Sequence, residues 1–548
     1  MIMIDFIMQS SLEKIFVDQT VFKPEFTKAS VLRGEEFAFQ IAYKARTQVW
    51  RYCSVVVESE LKKNIELYRV DNVPSLAPVY IDRKDNDYIK TTPGLFPDVL
   101  SKMDEPIVFA YPLSWSSLWV NVKVPQNAKK GIHTIKLIFD NPALNIHVEK
   151  VFTLNVIPAA LPKQNLIVTQ WFHCDGIARF YNQTMFSSAN WKTLESYLKM
   201  AAEHGINMIL TPIFTPPLDT QRGGERLTAQ LVDITVNQGQ YSFDFKKLKK
   251  WIDICQKHGV EYFEMAHLFT QWGAKCCPKI MGTVDGKERK IFGWEMASDS
   301  EEYFAFLDVF LPALTEFLKE KGVADKTVFH ISDEPNVTHL DMYQKVKAHV
   351  TPYLEGFQII DALSNLEFYN QGVIKHPVPS SNHVMPFIEA KVPDLWTYYC
   401  CSQNVDVSNR FMAMPSYRTR IIGLQLFKYD IKGFLQWGYN FYNSVWSMVP
   451  VNPYLVTDCL GAYPSGDAFS VYPGMDGKAV PSLRLKVFKH ALQDISALEL
   501  LAEYEGKEAV MQLIEQQGEL KFDAYPRSAE FILSLREAIN HRIANHVK

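Results

Sequence analysis

Two neighbouring acids, Asp333 and Glu334, interrupt the stretch TVFHISDEPNVTHLDMY between Thr327 and Tyr343. The stretch begins as an apolar strand and resumes as a helix after Pro335, so the acids stand where the strand ends. Side chains alternate faces along a strand, and both acids can face one cleft only if the backbone leaves the extended conformation there. Pro335 should end the strand and keep Glu334 extended.

Adjacent carboxyl groups suit general acid–base chemistry, because a negative charge on one favours the protonated form of the other. The same acids before a helix are also typical of an N-cap, where negative charge meets the positive end of the helix dipole. The apolar strand that leads directly into the pair, and its place fourth among the predicted strands, favour the functional interpretation.

Length and charge narrow the class of protein. A chain of 548 residues exceeds the usual span of one hydrophobic core, which predicts two or three domains. With 57 basic and 61 acidic residues the net charge is −4, and no basic run occurs, which argues against nucleic-acid binding. No apolar run approaches about 20 residues, so no membrane association is expected.

The N-terminus and the cysteines bear on location. The segment MIMIDFIMQSSLEKIF is apolar but has no basic region before it, and we interpret it as a first strand rather than a signal peptide. The eight cysteines show no CxxC spacing for zinc. Reduced thiols in a cytoplasmic protein fit this pattern.

Short strand-like segments fill residues 1–160. Examples are EEFAFQIAYKA, YCSVVVES and SSLWVNVKVP, while GIHTIKLIFD and HVEKVFTLNVIP resemble a hairpin. This pattern predicts an N-terminal β-sandwich, which ends at the proline-containing linker IPAALPKQN.

Strands and helices alternate after that linker. Strand starts are predicted near residues 165, 206, 260, 327, 356, 395, 410 and 433, the seventh being a short strand at 410–414. Eight β-then-α units predict a (β/α)8 TIM-type barrel over residues 161–505. The helical pattern of residues 506–548 predicts an extension packed on the barrel. The expected fold is thus a multidomain α/β protein.

The ends of the predicted barrel strands supply candidates for a pocket wall. Aromatic faces and polar side chains together suit a sugar ring, although a strand-end aromatic can equally belong to the core and a histidine can be structural. The candidates are Trp171, His173, Phe214, His267, Trp272, Asp361, Asn365, Tyr398, Tyr399, Trp437, Tyr439 and Asn440. Trp437 is the best candidate for a stacking floor.

Two further features have open interpretations. His330 lies three residues before Asp333, which predicts the opposite face of the strand and either a structural role or orientation of the acids. The segment TPPLDTQRGGERLT is long and polar; it is predicted to cover the cleft, where Arg222 or Arg226 could reach an anionic group, or else to be a solvated loop.

Four segments resemble glycoside hydrolase family 123: HISDEP, QWFHCDGIARFY, AAEHGINMILTPIF and GFLQWGYNFYN. The resemblance extends from about residue 30 to residue 500. Characterised members of that family are β-N-acetylgalactosaminidases with an N-terminal β-sandwich and a (β/α)8 barrel. The resemblance therefore implies the same architecture and a small carbohydrate substrate, with neither a metal nor another cofactor.

The family's acid pair falls on Asp333 and Glu334. The resemblance implies a retaining mechanism in which Glu334 protonates the leaving oxygen and the 2-acetamido oxygen of the substrate attacks the anomeric carbon. Asp333 would hold the amide N–H, and Glu334, kept protonated by the charge of Asp333 and by burial, would later activate water. Either Tyr398 or Tyr399 could hold the acetamido carbonyl.

Three alternatives stay open at this stage. A metal-dependent hydrolase could use His173, His267, Asp333 and Asp361, although the usual HxH signal is absent. A glycosidase with a conventional nucleophile could use Asp361 or Glu264. A non-catalytic carbohydrate-binding barrel would retain the pocket without turnover.

Overall fold

The computed structural model of the protein describes residues 4–144, 146–335 and 337–547. Residues 1–3 at the start of the predicted first strand, Asn145 in the predicted hairpin turn, Asn336 and Lys548 lie outside the described residues. In the part of the chain that is described, no helix has both the length and the apolar character needed to span a membrane.

Ten strands form the N-terminal region. They are β1 (Ile4–Ser10), β2 (Lys28–Arg33), β3 (Glu36–Ala45), β4 (Trp50–Glu58), β5 (Ile65–Ser75), β6 (Gly94–Lys102), β7 (Ile107–Ala110), β8 (Ser116–Lys123), β9 (Gly131–Asn141) and β10 (Ile146–Ala160). Two five-stranded sheets result, with the orders β1-β3-β8-β5-β6 and β2-β10-β9-β4-β7. The sheets share a core in which Phe39 stacks on Phe152, ring centroids 4.2 Å apart. The predicted hairpin is confirmed, since β9 and β10 pair antiparallel.

Eight parallel strands form a nearly closed barrel. In chain order these barrel strands one to eight are β11 (Ile167–Gln170), β12 (Met208–Thr211), β15 (Tyr262–Met265), β18 (Thr327–Phe329), β19 (Gln358–Ala362), β20 (His376–Val378), β21 (Trp396–Tyr398) and β22 (Gly433–Gln436). Their order in the sheet is β20-β19-β18-β15-β12-β11-β22-β21. A single bridge between Ser380 and Tyr398 joins the two edges.

The identity of the sixth and seventh barrel strands differs from the prediction. The sixth strand is β20, whose three residues include a proline and give no periodic signal. The strand predicted as sixth is the seventh, β21. The predicted seventh strand at 410–414 is wrong, because Arg410 is buried there and its guanidinium donates to Gln170 and Gln436.

Helices follow the barrel strands. They are α1 (Cys174–Phe180), α2 (Ser188–Glu203), α3 (Lys246–His258), α4 (Glu301–Glu320), α5 (Leu340–Val350), α6 (Glu367–Asn370), α7 (Met385–Glu389), α8 (Ser416–Lys428), α9 (Leu483–Glu505), α10 (Lys507–Glu515) and α11 (Ala529–His546). Serine N-caps begin α2, α4, α9 and α11, each hydroxyl accepting a backbone N–H of the first turn. Helix α11 contacts both α9 and the N-terminal sheets, since Arg536 pairs with Asp494 and with Glu35.

A smaller sheet was not predicted. The loops after β12 and β15 contribute β13 (Asp233–Asn237), β14 (Gln240–Asp244), β16 (Ile280–Val284) and β17 (Lys287–Phe292), in the order β14-β13-β16-β17. The second hairpin turns at Asp285-Gly286, where both residues have positive φ. An Asp-Gly pair between strand-like segments is a strong hairpin signal, so this element was readable from the sequence. A final hairpin is formed by β23 (Val471–Pro473) and β24 (Ala479–Pro481).

Candidate active site

A pocket of about 620 Å³, counting the space open to solvent, lies at the carboxyl ends of the barrel strands. This end of a parallel barrel is where catalytic groups gather. The residues that line it are Trp171, Leu218, Asp219, Gln271, Trp272, Asp333, Glu334, Ala362, Tyr398, Cys400, Cys401, Leu435, Trp437 and Tyr463.

The acid pair faces this pocket from the end of β18. Glu334 has a φ of 44°, in the left-handed region, so the backbone turns sharply between the two acids and both reach one cavity. The predicted departure from extended geometry is therefore confirmed. The expectation that Pro335 keeps Glu334 extended is wrong, because surrounding contacts hold the turn, among them the Trp272 amide, which donates to the Asp333 carbonyl at 2.9 Å.

Strained backbone recurs around the pocket. Asp219, with a φ of 39°, and Trp272, with a φ of 57°, also adopt the left-handed region. Such conformations cost free energy in residues other than glycine and persist only where the surroundings impose them. Three separate loops thus hold strained residues that face one cavity.

The two acids differ in their surroundings. Burial, and then the negative charge of Glu334, raise the pKa of Asp333 well above its usual range, and the positive charge of His330 opposes this rise. Glu334 is more exposed than Asp333, and its carboxylate accepts a hydrogen bond from the Tyr398 hydroxyl at 2.7 Å. The expected burial of Glu334 is therefore wrong; Asp333 is the deeper of the two.

Aromatic side chains form the walls. Trp171, Trp272, Tyr398 and Trp437 line the pocket as the sequence predicted, and Trp437 donates its indole N–H to Asp467 at 2.8 Å. Tyr398 faces the pocket, whereas Tyr399 points away and packs against other buried side chains. Strand parity therefore separates the two tyrosines that the sequence left undecided. Contact of any of these residues with substrate stays a prediction.

Six other predicted residues do not line the pocket. His173 and Asn440 are both buried. The Asn440 side chain accepts the His173 amide at 2.8 Å and donates to the His173 carbonyl at 3.0 Å. His267 and Asp361 are fully buried beneath the acid pair. Tyr399 lies on the outer side of its strand, and Asn365 is exposed, where its side chain accepts the Glu367 amide. Phe214 and Tyr439, also noted in the sequence, belong to the core.

Asp219, which was not among the predicted residues, contributes a third carboxyl group to the pocket. Its oxygens accept the Tyr463 hydroxyl at 2.8 Å and the Trp446 amide at 3.1 Å, and burial raises its pKa. Asp219 lies in the predicted loop over the cleft, so its position was partly readable. Tyr463 follows the last barrel strand by many residues, and no periodic signal marks it.

The two arginines of this loop do not reach the pocket. Arg226 is buried and pairs with Asp175 at 2.7 Å, with further bonds to loop carbonyls. Arg222 is exposed on the loop. None of the described residues that line the pocket is basic.

One group of side chains could in principle offer metal ligands. Ligand atoms of His267, His330 and Asp361 all lie within 4.8 Å of one another. The two imidazole rings, however, stack with centroids 4.2 Å apart and planes inclined by 18°, so their in-plane lone pairs do not converge on one point. Both ring nitrogens of His330 also contact carboxylates already. The arrangement suits a hydrogen-bonded ion cluster better than a metal.

Several structures are similar to the chain. A family 123 glycoside hydrolase from Clostridium perfringens, described in connection with glycolipid glycan hydrolysis, aligns with a TM-score of 0.73 and 18% identity over 99% of this chain and 98% of that chain. A β-glucuronidase from Parabacteroides merdae aligns with a TM-score of only 0.32 and 10% identity, over 83% of this chain and 49% of that one. No curated protein sequence matches the chain significantly.

A carboxylic acid pair in an aromatic-walled pocket, at the carboxyl ends of a parallel barrel, is an arrangement typical of glycoside hydrolases. The sequence model of the glycoside hydrolase 123 catalytic domain matches residues 171–501, which is more than half of the chain. The chain belongs to glycoside hydrolase family 123, and the resemblance noted in the sequence is confirmed.

Proposed function

We propose that this protein is a retaining β-N-acetylhexosaminidase that cleaves a β-linked 2-acetamido sugar of the N-acetylgalactosaminide type. The observation that carries the proposal is the turn at Glu334, which brings two adjacent carboxyl groups, one deep and one near the mouth, into one pocket. Adjacent acids suit a substrate that supplies its own nucleophile, because one acid serves the acetamido group and the other serves the glycosidic oxygen.

The first step forms an oxazolinium ion. The acetamido carbonyl oxygen attacks the anomeric carbon while the bond to the leaving oxygen breaks, and Glu334 gives its proton to that oxygen. Asp333 acts as a carboxylate: it accepts the amide N–H, orients the carbonyl oxygen and offsets the positive charge that develops on the ring. Burial and Glu334 oppose this ionisation of Asp333, and the positive charge of His330 favours it. Tyr398, bonded to Glu334, is placed to orient the acid or to reach the acetamido carbonyl.

The second step returns the enzyme to its starting state. Water attacks the anomeric carbon, Glu334 takes its proton, and the bond between that carbon and the carbonyl oxygen breaks. Two inversions at the same carbon give overall retention. No enzyme carboxylate forms a bond to the sugar.

Two observations support substrate assistance over a conventional nucleophile at the positions that the sequence suggested. Glu264 and Asp361 are fully buried and do not line the pocket, and both accept hydrogen bonds from His330. The three carboxyl groups of the lining, without a basic residue among the described ones, also favour an uncharged sugar over a uronate or a sulfated sugar.

We extend the proposal to the architecture and location. The nearly closed barrel is proposed to be a (β/α)8 TIM-type catalytic domain at 161–505, preceded by a β-sandwich at 1–160 and followed by a helical extension at 506–548. A cytoplasmic location is supported by the eight cysteines, all of which are free thiols. The substrate is expected to be a small carbohydrate.

Hydrolysis of p-nitrophenyl glycosides tests the function. Wild-type protein should cleave β-N-acetylgalactosaminide or β-N-acetylglucosaminide and not the matching 2-hydroxy sugars. Glu334→Gln should lower kcat/KM on an unactivated aryl leaving group by about a thousandfold, because Glu334 donates a proton in the first step and accepts one in the second. Activity on 2-hydroxy sugars alone would contradict substrate assistance.

The position of Asp219 supports a second candidate function. This carboxyl group lines the same pocket and is held by two hydrogen bonds, so it could act as a conventional nucleophile in a retaining glycosidase. That enzyme would cleave 2-hydroxy glycosides, and Asp219→Asn would abolish turnover. The substrate panel therefore separates the two candidates.

A further inference from the structure

A hydrogen-bonded ion cluster lies directly beneath the acid pair. His330 places one ring nitrogen 2.5 Å from a Glu264 oxygen and the other 3.2 Å from an Asp361 oxygen. All three side chains are fully buried. The cluster therefore joins the ends of barrel strands three, four and five without contact with solvent.

The cluster also holds the backbone that leads to the acids. The Asp361 oxygen that faces His330 accepts the Ile331 amide at 3.0 Å, two residues before Asp333. The other Asp361 oxygen accepts a short hydrogen bond from the Tyr343 hydroxyl on α5. Strand four is thus fixed on both sides just before the strained turn at Glu334.

The same cluster fixes a wall of the pocket. Glu264 accepts the indole N–H of Trp171 at 2.8 Å through the oxygen that faces His330, and accepts the Thr169 hydroxyl at 2.5 Å through the other. Trp171 lines the pocket. One buried carboxylate therefore links the aromatic wall to the strand that carries the acids.

We propose that His330, with Glu264 and Asp361, is a positioning residue that supports the Asp333–Glu334 pair with a fixed buried positive charge. The inference rests on the proposed function, because it assigns to Asp333 the ionised role in that mechanism. A cation beneath Asp333 stabilises its carboxylate, while the hydrogen bonds of the cluster hold the turn.

The electrostatics agree with this geometry. Burial alone would lower the pKa of His330, but hydrogen bonds to Asp361 and Glu264 outweigh it and raise the pKa to about 10. His267 stacks on His330 and stays neutral, since burial and the His330 charge lower its pKa well below the usual range. The charged groups that act on Asp333 are Glu334, His330, Asp361 and Asp219.

The charge of His330 can be measured directly. In the full-length protein labelled with 15N-histidine, both ring nitrogens of His330 should remain protonated at pH 8.5, with the resonance assigned from its loss in His330→Gln or from its shift in Asp361→Asn. A neutral ring at pH 8.5 would overturn the proposal.

Two substitutions should shift the ionisation of Asp333, and with it the acidic limb of kcat/KM, in opposite directions. Asp361→Asn keeps the size and the acceptor for Ile331 but removes a negative charge, so the acidic limb of kcat/KM should move to lower pH by about half a unit to one unit. His330→Gln removes the cation, and the limb should move to higher pH. His490→Gln, at another buried histidine, is the matched control and should leave the limb in place.

Carboxyl 13C shifts of labelled aspartate report the same ionisation of Asp333 without turnover. If wild-type protein cleaves no 2-acetamido glycoside, the proposed function fails, yet opposite shifts of the Asp333 resonance would still support the positioning role. The positioning role would be overturned if the Asp333 resonance shifted no more in Asp361→Asn and His330→Gln than in His490→Gln. This outcome does not depend on whether the protein is active.

Discussion

Asp333 in the pocket and Asp494 between the barrel and the C-terminal helices are both less exposed than Glu334, yet their electrostatics are opposite. Asp494 on α9 pairs with Arg420 at 2.7 Å and with Arg536 at 2.8 Å. Burial would raise its pKa, but the two arginines outweigh burial and lower it. In the pocket, burial and the neighbouring Glu334 raise the pKa of Asp333.

This contrast distinguishes a structural carboxylate from a catalytic one in this molecule. Where arginine compensates the charge, removal of the acid leaves buried cations unpaired and should cost stability. Where two acids face one cavity with no basic residue in its lining, the pair is held ready to exchange a proton, and its removal should cost turnover. Substitutions at Asp333, Asp494 and Tyr398 test this contrast.

The largest effect is expected at the acid pair of the pocket. Asp333→Asn should lower kcat on a 2-acetamido glycoside by about a thousandfold, since the amide then offers no charge to the developing oxazolinium ion. The free energy of unfolding, measured with urea, should stay the same or rise, because two like charges no longer repel. A loss of stability as large as the loss of activity would remove the contrast.

The next largest effect is expected at the structural carboxylate, Asp494. Asp494→Asn should lower the free energy of unfolding by about 3 kcal/mol, because Arg420 and Arg536 remain buried with reduced compensation. Activity per folded molecule should be unchanged, as the residue lies on the outer face of the barrel. Urea unfolding and kcat, measured on the same preparation, decide this. A stable variant without turnover would contradict the assignment.

The smallest effect is expected for the hydrogen bond between Tyr398 and Glu334. Tyr398→Phe removes the hydroxyl that donates to Glu334 and should lower kcat by about tenfold, close to the value of one hydrogen bond to a charged group. Tyr399→Phe is the matched control, since its hydroxyl is buried with no hydrogen-bond partner in the described structure. Equal effects of both substitutions would show that the bond to Glu334 has no catalytic value.

The architecture was largely readable from the sequence because long periodic segments define it. The hairpin of β9 and β10 and the position of β18 were predicted, and the chain shows two facing sheets before an eight-stranded parallel barrel. The sixth strand was missed because His376–Val378 is too short to carry a period. Residues 410–414 resembled a strand because they are apolar, although Arg410 anchors them as irregular core.

The site was readable only in part. Alternation along a strand predicted that both acids require a break, and the left-handed Glu334 supplies it. The sequence could not predict that Asp361 lies beneath the pocket, because the contacts that hold it come from His330 and Ile331 after the neighbouring strand β18. Tyr463 could not be predicted for a related reason. Its partner Asp219 lies 244 positions away, and only the folded chain brings them together.

The central claim is that the acetamido oxygen of the substrate acts as nucleophile while Asp333 holds its amide. The most direct test is kcat/KM for p-nitrophenyl 2-acetamido glycosides that carry zero, one, two or three fluorine atoms on the acyl methyl group. Fluorine withdraws electrons from the carbonyl oxygen, so each added atom should lower the rate steeply with little change in size. Equal rates across the series would contradict participation of the acetamido group.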